Sequence, residues 1–160
     1  MKRVLIKHEA KKILKISSKG FTLVEVIISA AVLLLTFVGI LTSYIRCLEL
    51  TELSRNTSIA VNAARSRMED IKNTQFGQIA SDYHNVTFTA SGLTGIGVTY
   101  VDSSNPDLLR VTAVFCWRQS NGRVIGEDIN LNGQVNSGED QNGNGLLDSS
   151  VRLVSNIYEI

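Results

Sequence analysis

Two clusters of residues in this 160-residue chain have types and spacings that can do chemistry. The first is an oxygen-rich run in which Asp128, Asn130, Asn132, Gln134, Asn136 and Glu139 bracket Gly133. Alternate oxygen side chains wrapped around a glycine turn suit a hard cation, since calcium takes about 6–8 oxygens. A weaker copy follows at once: Asp140, Asn142, Asn144, Leu146 and Asp148, with Gly145 at the turn and Val151 where a closing acid belongs. The second cluster is the junction Gly20-Phe21-Thr22-Leu23-Val24-Glu25. Here a basic segment ends in a glycine. A long apolar segment then begins at phenylalanine and contains one carboxylate. Insertion scales put a charged residue at the centre of a membrane span about 2.5–3.5 kcal/mol uphill, and one helical turn from the end the cost is smaller. Such a carboxylate needs a reason.

The charge distribution places the junction in context. Residues 1–20 hold seven Lys or Arg against Glu9 alone, a net +6, and the remainder holds nine basic and fourteen acidic residues, a net −5. A basic head on an acidic body marks a targeting segment and argues against a nucleic-acid partner, whose phosphates need clustered Lys and Arg. An amphipathic, membrane-surface role for the first 20 residues is the competing reading. Residues 21–45 carry no charge except Glu25. At about 1.5 Å per residue this run covers roughly 37 Å as a helix, enough to cross a bilayer, and it exceeds the roughly 7–15-residue core of a signal peptide. Ser29-Ala30-Ala31 is a poor signal-peptidase site because apolar sequence continues beyond it. Positive charge before the span, with Arg46 alone just after it, orients the N-terminus to the cytoplasm and exports the body.

The junction resembles that of the type IV prepilin-like family: type IV pilins, minor pilins and the pseudopilins of type II secretion. The likeness rests on Lys19-Gly20, Phe21-Thr22-Leu23-Val24-Glu25 and the apolar helix behind them, so it covers residues 19 to about 45. The resemblance implies cleavage between Gly20 and Phe21 by a membrane prepilin peptidase and N-methylation of the new Phe21 amine. It further implies an assembly role for Glu25, neutralised by the Phe21 amine of a neighbouring subunit. The implied partners are other pilin or pseudopilin subunits, the peptidase, an inner-membrane assembly platform and membrane lipid. The implied location is the inner membrane, single-pass, and then a pilus or pseudopilus in the periplasm or at the cell surface. The competing reading of Glu25 is a snorkelling carboxylate without a partner. Many pilins carry a proline midway along the span; here Gly39 is the only soft point.

The oxygen-rich run fits the EF-hand loop template, with Asp at position 1, Asn at 3 and 5, Gly at 6 and Glu at 12. It resembles calcium loops generally, including those of dockerins and thrombospondin repeats. No amphipathic helix pair flanks it, so the expectation is a bare loop over residues 127–148 ordered by a structural Ca2+ of modest affinity. The bland alternative is an Asn/Gly-rich connector, since these residues also favour turns.

The elements that must carry these clusters follow from periodicity. Proline-free sequence runs from residue 21 to 73, and Ile59, Ala60, Ala63, Ala64, Met68 and Ile71 form a stripe at helical spacing. The expected organisation is a leader over 1–20, a transmembrane or filament-core half-helix over 21–45, an amphipathic half over 46–76, and an exported β-sheet domain over 77–160. Strands are expected at 84–90, 97–102, 108–119, 123–125 and 151–160, with Asn121-Gly122 as a hairpin turn. The fold class is therefore α+β, type IV pilin-like, with a long N-terminal helix packed on a small antiparallel sheet. Cys47 and Cys116 read as two separate buried thiols, although export permits a bridge. His8 and His84 stand alone and no catalytic set appears, so a structural subunit is expected rather than an enzyme. The runner-up is a membrane-anchored, calcium-dependent adhesion or binding module that does not polymerise.

Overall fold

The computed structural model describes residues 20–159; residues 1–19, with most of the expected leader, and Ile160 lie outside that range. The chain divides into two compact units, residues 1–44 and 45–160. In the first, helix α1 (Leu23–Lys72) begins. Thr22 caps it, its carbonyl accepting from the Val26 N–H at 3.2 Å and its Oγ1 from the Glu25 N–H at 3.3 Å. Every described residue of this unit is exposed, with Phe21 at 80% and Leu35 at 74%. Its hydroxyls bond inward: Thr36 Oγ1 donates to the Leu33 carbonyl at 2.8 Å, Thr42 to Val38 at 2.9 Å and Ser43 to Gly39 at 2.9 Å. The helix passes through Gly39 unbroken, and it is long and apolar enough to cross a membrane once.

The second unit is α+β. The remainder of α1 buries Ala60, Ala64, Met68 and Ile71, the helical stripe expected from spacing. After it come α2 (Phe76–Tyr83), β1 (Val86–Phe88), β2 (Gly95–Asn105), β3 (Leu108–Arg118), β4 (Val124–Ile125) and β5 (Val151–Tyr158). All pairings are antiparallel. β3 is the centre. β2 runs along one edge, Ile96 opposite Cys116 and Val101 opposite Val111. The other edge takes β5 over residues 108–115 and the short β4 over 117–118. β1 extends the sheet beyond β2. Helix α2 fills the stretch between the expected end of the first helix at 76 and the strand expected at 84–90, where no element was expected, and its Phe76, Ile79, Ala80 and Tyr83 pack into the main core.

Strand β3 decides the architecture because both its faces are apolar. Leu109, Val111, Ala113, Phe115 and Trp117 face α1 and join Ala60, Ala64, Met68, Ile71, Ile79, Val101 and Val151 in one core. On the opposite face Val114 and Cys116 join Val98, Tyr100 and Leu147 in a second, smaller core. The reading of residues 127–148 as a loop without a core is thus corrected: Leu147 is 1% exposed, and Leu131 and Leu146 pack beside it. Cys47 is also corrected, being exposed, while Cys116 is buried; both thiols are free.

A polar clasp ties α1 to the β3–β4 hairpin. Glu52 Oε1 accepts the Ser120 N–H at 2.8 Å and the Ser120 hydroxyl at 2.7 Å. Ser120's backbone N–H, and next its hydroxyl, hold the Glu52 carboxyl below its ordinary 4.5 against a smaller desolvation effect. A depressed folded value makes the clasp's contribution complete above pH 4.5 and loses it as pH falls through that lower value. Glu52→Gln is therefore expected to unfold at lower denaturant than the parent at pH 7, with the gap closing on acidification; a gap independent of pH contradicts the charged clasp. Ala60 and Ala64 are fully buried, which requires the helix to approach the sheet closely. Ala64→Leu should cost about 1–3 kcal/mol in denaturant unfolding through overpacking, and unchanged stability would show slack at this contact.

Candidate functional site: paired cation loops and the helix junction

Residues 126–149 cover the second face of the sheet. The segment is closed at its mouth, where the Glu127 N–H donates to the Asp148 carbonyl at 2.8 Å. Five glycines take positive-φ backbone within it; at Gly133 (φ 76°) a side chain would also strike Thr87 of β1. The Leu147 N–H donates to the Tyr100 hydroxyl at 3.0 Å, anchoring the segment to β2. Burial pushes the Tyr100 phenol above its ordinary value, and likewise the Cys116 thiol.

The first loop gathers the residues expected from sequence. Asp128 is fully buried, its two oxygens accepting the N–H groups of Asn132 at 3.1 Å and Gly133 at 2.7 Å. Asn130 Oδ1 accepts from the Asn132 N–H at 3.0 Å, and Asn132 Oδ1 from the Gln134 N–H at 2.8 Å. Glu139, 4% exposed, accepts the Ile129 and Asn130 N–H groups on Oε1 at 3.0 and 3.3 Å, and the Asn136 N–H on Oε2 at 3.0 Å. Desolvation pulls the Glu139 carboxyl upward, but the Asn136 side chain and these three amides together hold it below its ordinary value.

The Asn136 amide group is the most informative atom of this loop. Its Nδ2 donates to Asn132 Oδ1 at 3.3 Å, to the Gln134 carbonyl at 3.1 Å and to Glu139 Oε2 at 3.0 Å. Three oxygens at the fifth, seventh and twelfth template positions thus converge on one electropositive group, the arrangement a hard cation requires. The amide nitrogen occupies the centre of these three oxygens. Turning it over would present Asn136 Oδ1 instead, and the two orientations are exchanged by a simple flip.

The second loop repeats the pattern more openly. Asp140 accepts from Gly143 at 2.7 Å, Asn144 at 3.1 Å and Gly145 at 2.8 Å. Asn142 Oδ1 accepts from the Asn144 N–H at 3.0 Å, and Asn144 Oδ1 from the Leu146 N–H at 2.7 Å. Asp148 is already engaged, by Asn142 Nδ2 at 2.7 Å, Asn144 Nδ2 at 2.8 Å and Arg152 at 3.2 Å. Val151, at the twelfth position, is buried in the main core. Its place is taken by a residue that sequence reading missed. Glu139 accepts the amides of the second and ninth residues of its loop; Glu127 accepts those of the second and ninth residues of the other, Gln141 at 3.2 Å and Asp148 at 2.9 Å. Glu127 closes the second loop from its N-terminal side. The signal was present as a repeat, Glu127-Asp128 and Glu139-Asp140, twelve residues apart.

Charge separates the two loops. Asp148 faces Arg152, whereas no Lys or Arg pairs with the buried Asp128 or with Glu139 among the described residues. Taking an unpaired ion out of water costs several kcal/mol even after relaxation, and fully burying a leucine returns about 1.5–3 kcal/mol. Leu131 also stands at φ 58°, a strained conformation for leucine. The two carboxylates of the first loop are met instead by the loop's own N–H donors, which leaves it acidic with no ion pair among the described residues. Among the described residues no three His, Cys, Asp or Glu side chains gather as a metal centre; the oxygens come chiefly from Asn and main chain, a set that fits calcium rather than a transition metal.

At the helix junction Gly20, Phe21 and Glu25 are all exposed. Thr22 and Glu25 occupy the first and last positions of a Thr-x-x-Glu cap, so Glu25 also lies where the helix dipole favours an anion. His84 has a structural setting, its Nδ1 lying 2.9 Å from the Val101 carbonyl and 3.2 Å from the Val101 nitrogen. In comparisons with known proteins the chain matches no family model, no curated protein and no solved structure.

Asn136→Asp replaces the competing donor with a third carboxylate beside Asp128 and Glu139. Calcium titration followed by thermal unfolding is expected to show about tenfold tighter binding than the parent, because ligand charge tunes affinity in such loops. Equal or weaker binding by the variant would contradict the assignment of Asn136 to the cation shell.

Proposed function

We propose that this chain is a structural subunit of the type IV prepilin-like class, a minor pilin or pseudopilin, rather than an enzyme. The observation that carries the reading is the exposed apolar surface of residues 21–45, which holds Glu25 as its only charge. Such a surface needs lipid or neighbouring helices around it. The leader is removed between Gly20 and Phe21 by a prepilin peptidase, Phe21 is N-methylated, and the subunit waits in the inner membrane with its body exported. An assembly platform then moves it into a filament, where Glu25 meets the Phe21 amine of the next subunit. Lipid covers the apolar surface before assembly and other subunits cover it afterwards; nucleic acid has no part.

The exported body carries structural calcium. Asp128, Asn130, Asn132, Gln134, Asn136 and Glu139 hold the first ion. Asp140, Asn142, Asn144, Leu146 and Asp148, closed by Glu127, form the weaker second site. The ion neutralises the buried Asp128 and Glu139 and orders the segment over the sheet.

Three variants test the assembly reading in cells. Gly20→Leu should leave an uncut precursor, seen as a larger band. Glu25→Ala should be inserted and cut normally yet drop at least several-fold in sheared filament fractions, while Glu25→Asp retains part of the signal. A mature chain that is cut but absent from filaments in every form would favour the non-polymerising binding module.

A further inference from the structure

Two adjacent residues of β3 look into different cores. Trp117 faces α1 and is fully buried in the main core; Cys116, 2% exposed, faces the loop segment and is buried in the second. The main core is built from helix and strands and needs nothing from residues 126–149. The second core exists only while those residues lie over the sheet. Its covering side is thin, with Leu147 fully buried and Leu131 and Leu146 partly so. The cover is fastened by the Leu147 N–H to Tyr100 bond and by close passage of Gly126 over the Cys116 sulfur. Among the described residues the same segment encloses Asp128 and Glu139 without an ion pair, Arg118 reaching only the Ile129 carbonyl at 3.2 Å, and it holds Leu131 in a left-handed conformation.

We propose that residues 126–149 form a cation-latched cover: calcium closes it over Val98, Tyr100, Val114 and Cys116, and without calcium it lifts while the main core stays folded. The proposal rests on the calcium reading of the loops and adds a conformational consequence to it. Closing brings the buried carboxylates together, so a cation at their centre binds the closed state far better than the open one and shifts the population toward it. Coupling runs both ways, so a change that loosens the cover without touching a cation ligand must also weaken calcium binding. Where calcium is scarce the second face of the sheet and its thiol are open; where calcium is abundant, as outside the cell, they are sealed. The domain thereby completes its second core only after the body has been exported.

The experiment uses the full chain in detergent with Cys47→Ser, which leaves Cys116 as the one thiol. Maleimide labelling is timed in calcium and in EGTA, with Trp117 emission and far-ultraviolet circular dichroism read alongside; Trp117 is the single tryptophan. Chelation is expected to speed Cys116 labelling by about tenfold or more, as for a local opening, with both spectra nearly unchanged. In the same background Tyr100→Phe, which removes the anchor of Leu147, should speed labelling in calcium and weaken calcium binding. Calcium binding with equal labelling in both buffers overturns the cover alone, as does labelling that appears only with loss of the Trp117 signal. No measurable calcium binding overturns the calcium reading and the cover with it.

Discussion

Strand β3 is buried on both faces, and the rest of the second unit follows from that constraint. An antiparallel sheet ordinarily buries one face and leaves the other to water. Here Phe115 and Trp117 on one side, Val114 and Cys116 on the other, are all within 2% of complete burial. One face is covered by α1, whose alanines allow close approach. The other has no helix to take, because the chain between β4 and β5 is among the most polar in the protein. The cover must therefore be built from a segment with three leucines and many amide and carboxylate oxygens. Such a segment lies against an apolar face only if its own polar groups are satisfied internally, which explains the dense side-chain-to-backbone bonding of both loops.

The two loops also brace one another. Glu139, which closes the first, immediately precedes the Asp140 that opens the second, and Glu127, which closes the second, immediately precedes the Asp128 that opens the first. Each closing acid is thus held in place by its own neighbour's turn. The bond from the Glu127 N–H to the Asp148 carbonyl brings the two ends of the segment together. A long excursion between a two-residue strand and the last strand is ordered in this way without any regular secondary structure. It also returns the chain to the edge of β3 in the register β5 needs, Val151 opposite Phe115.

Much of this was legible in the sequence, for local reasons. The stripe from Ala60 to Ile71 is buried as its spacing indicates, and the alternation of β3 identifies its strand within one residue. The convergence of Asn132, Gln134 and Glu139 oxygens in the first loop is legible because such wrapping depends on spacing within a few residues. What was missed depends on distant partners. Alternation of Val114 and Cys116 with Phe115 and Trp117 marks two faces but cannot say that a polar loop will cover the second. Helix α2 has its apolar residues at 76, 79, 80 and 83, yet eight residues are too few to distinguish from the end of one helix and the start of a strand. Glu127 falls outside the template because its loop begins thirteen residues later, and only pairing of the loops brings it to the Gln141 and Asp148 amides. The exposure of Cys47 follows from its lying beyond the stripe on α1, where apolar neighbours in sequence gave a false impression of burial.

The polar groups of α1 sharpen the reading of Glu25. In an apolar surrounding each hydroxyl must find its partner within the helix, and Thr36, Thr42 and Ser43 all donate to carbonyls three or four residues back. Thr22 spends its hydroxyl on the free amide of the first turn. Glu25 has no such partner: its backbone N–H is capped, while no hydrogen bond or ion pair among the described residues reaches its carboxylate. The helix dipole favours an anion in this turn, but typically by only 0.3–1 kcal/mol, less than the cost of a bare charge deep in hydrocarbon. Glu25 lies one turn from the helix start, where that cost is smaller, and in the proposed assembly a partner from outside the helix meets what remains. A positive group at the start of a second, parallel helix meets that need with the geometry of a stagger of about one turn, whereas lipid headgroups meet it only if the turn stays at the membrane surface. Loss of Glu25 then affects association between helices more than the stability of either one.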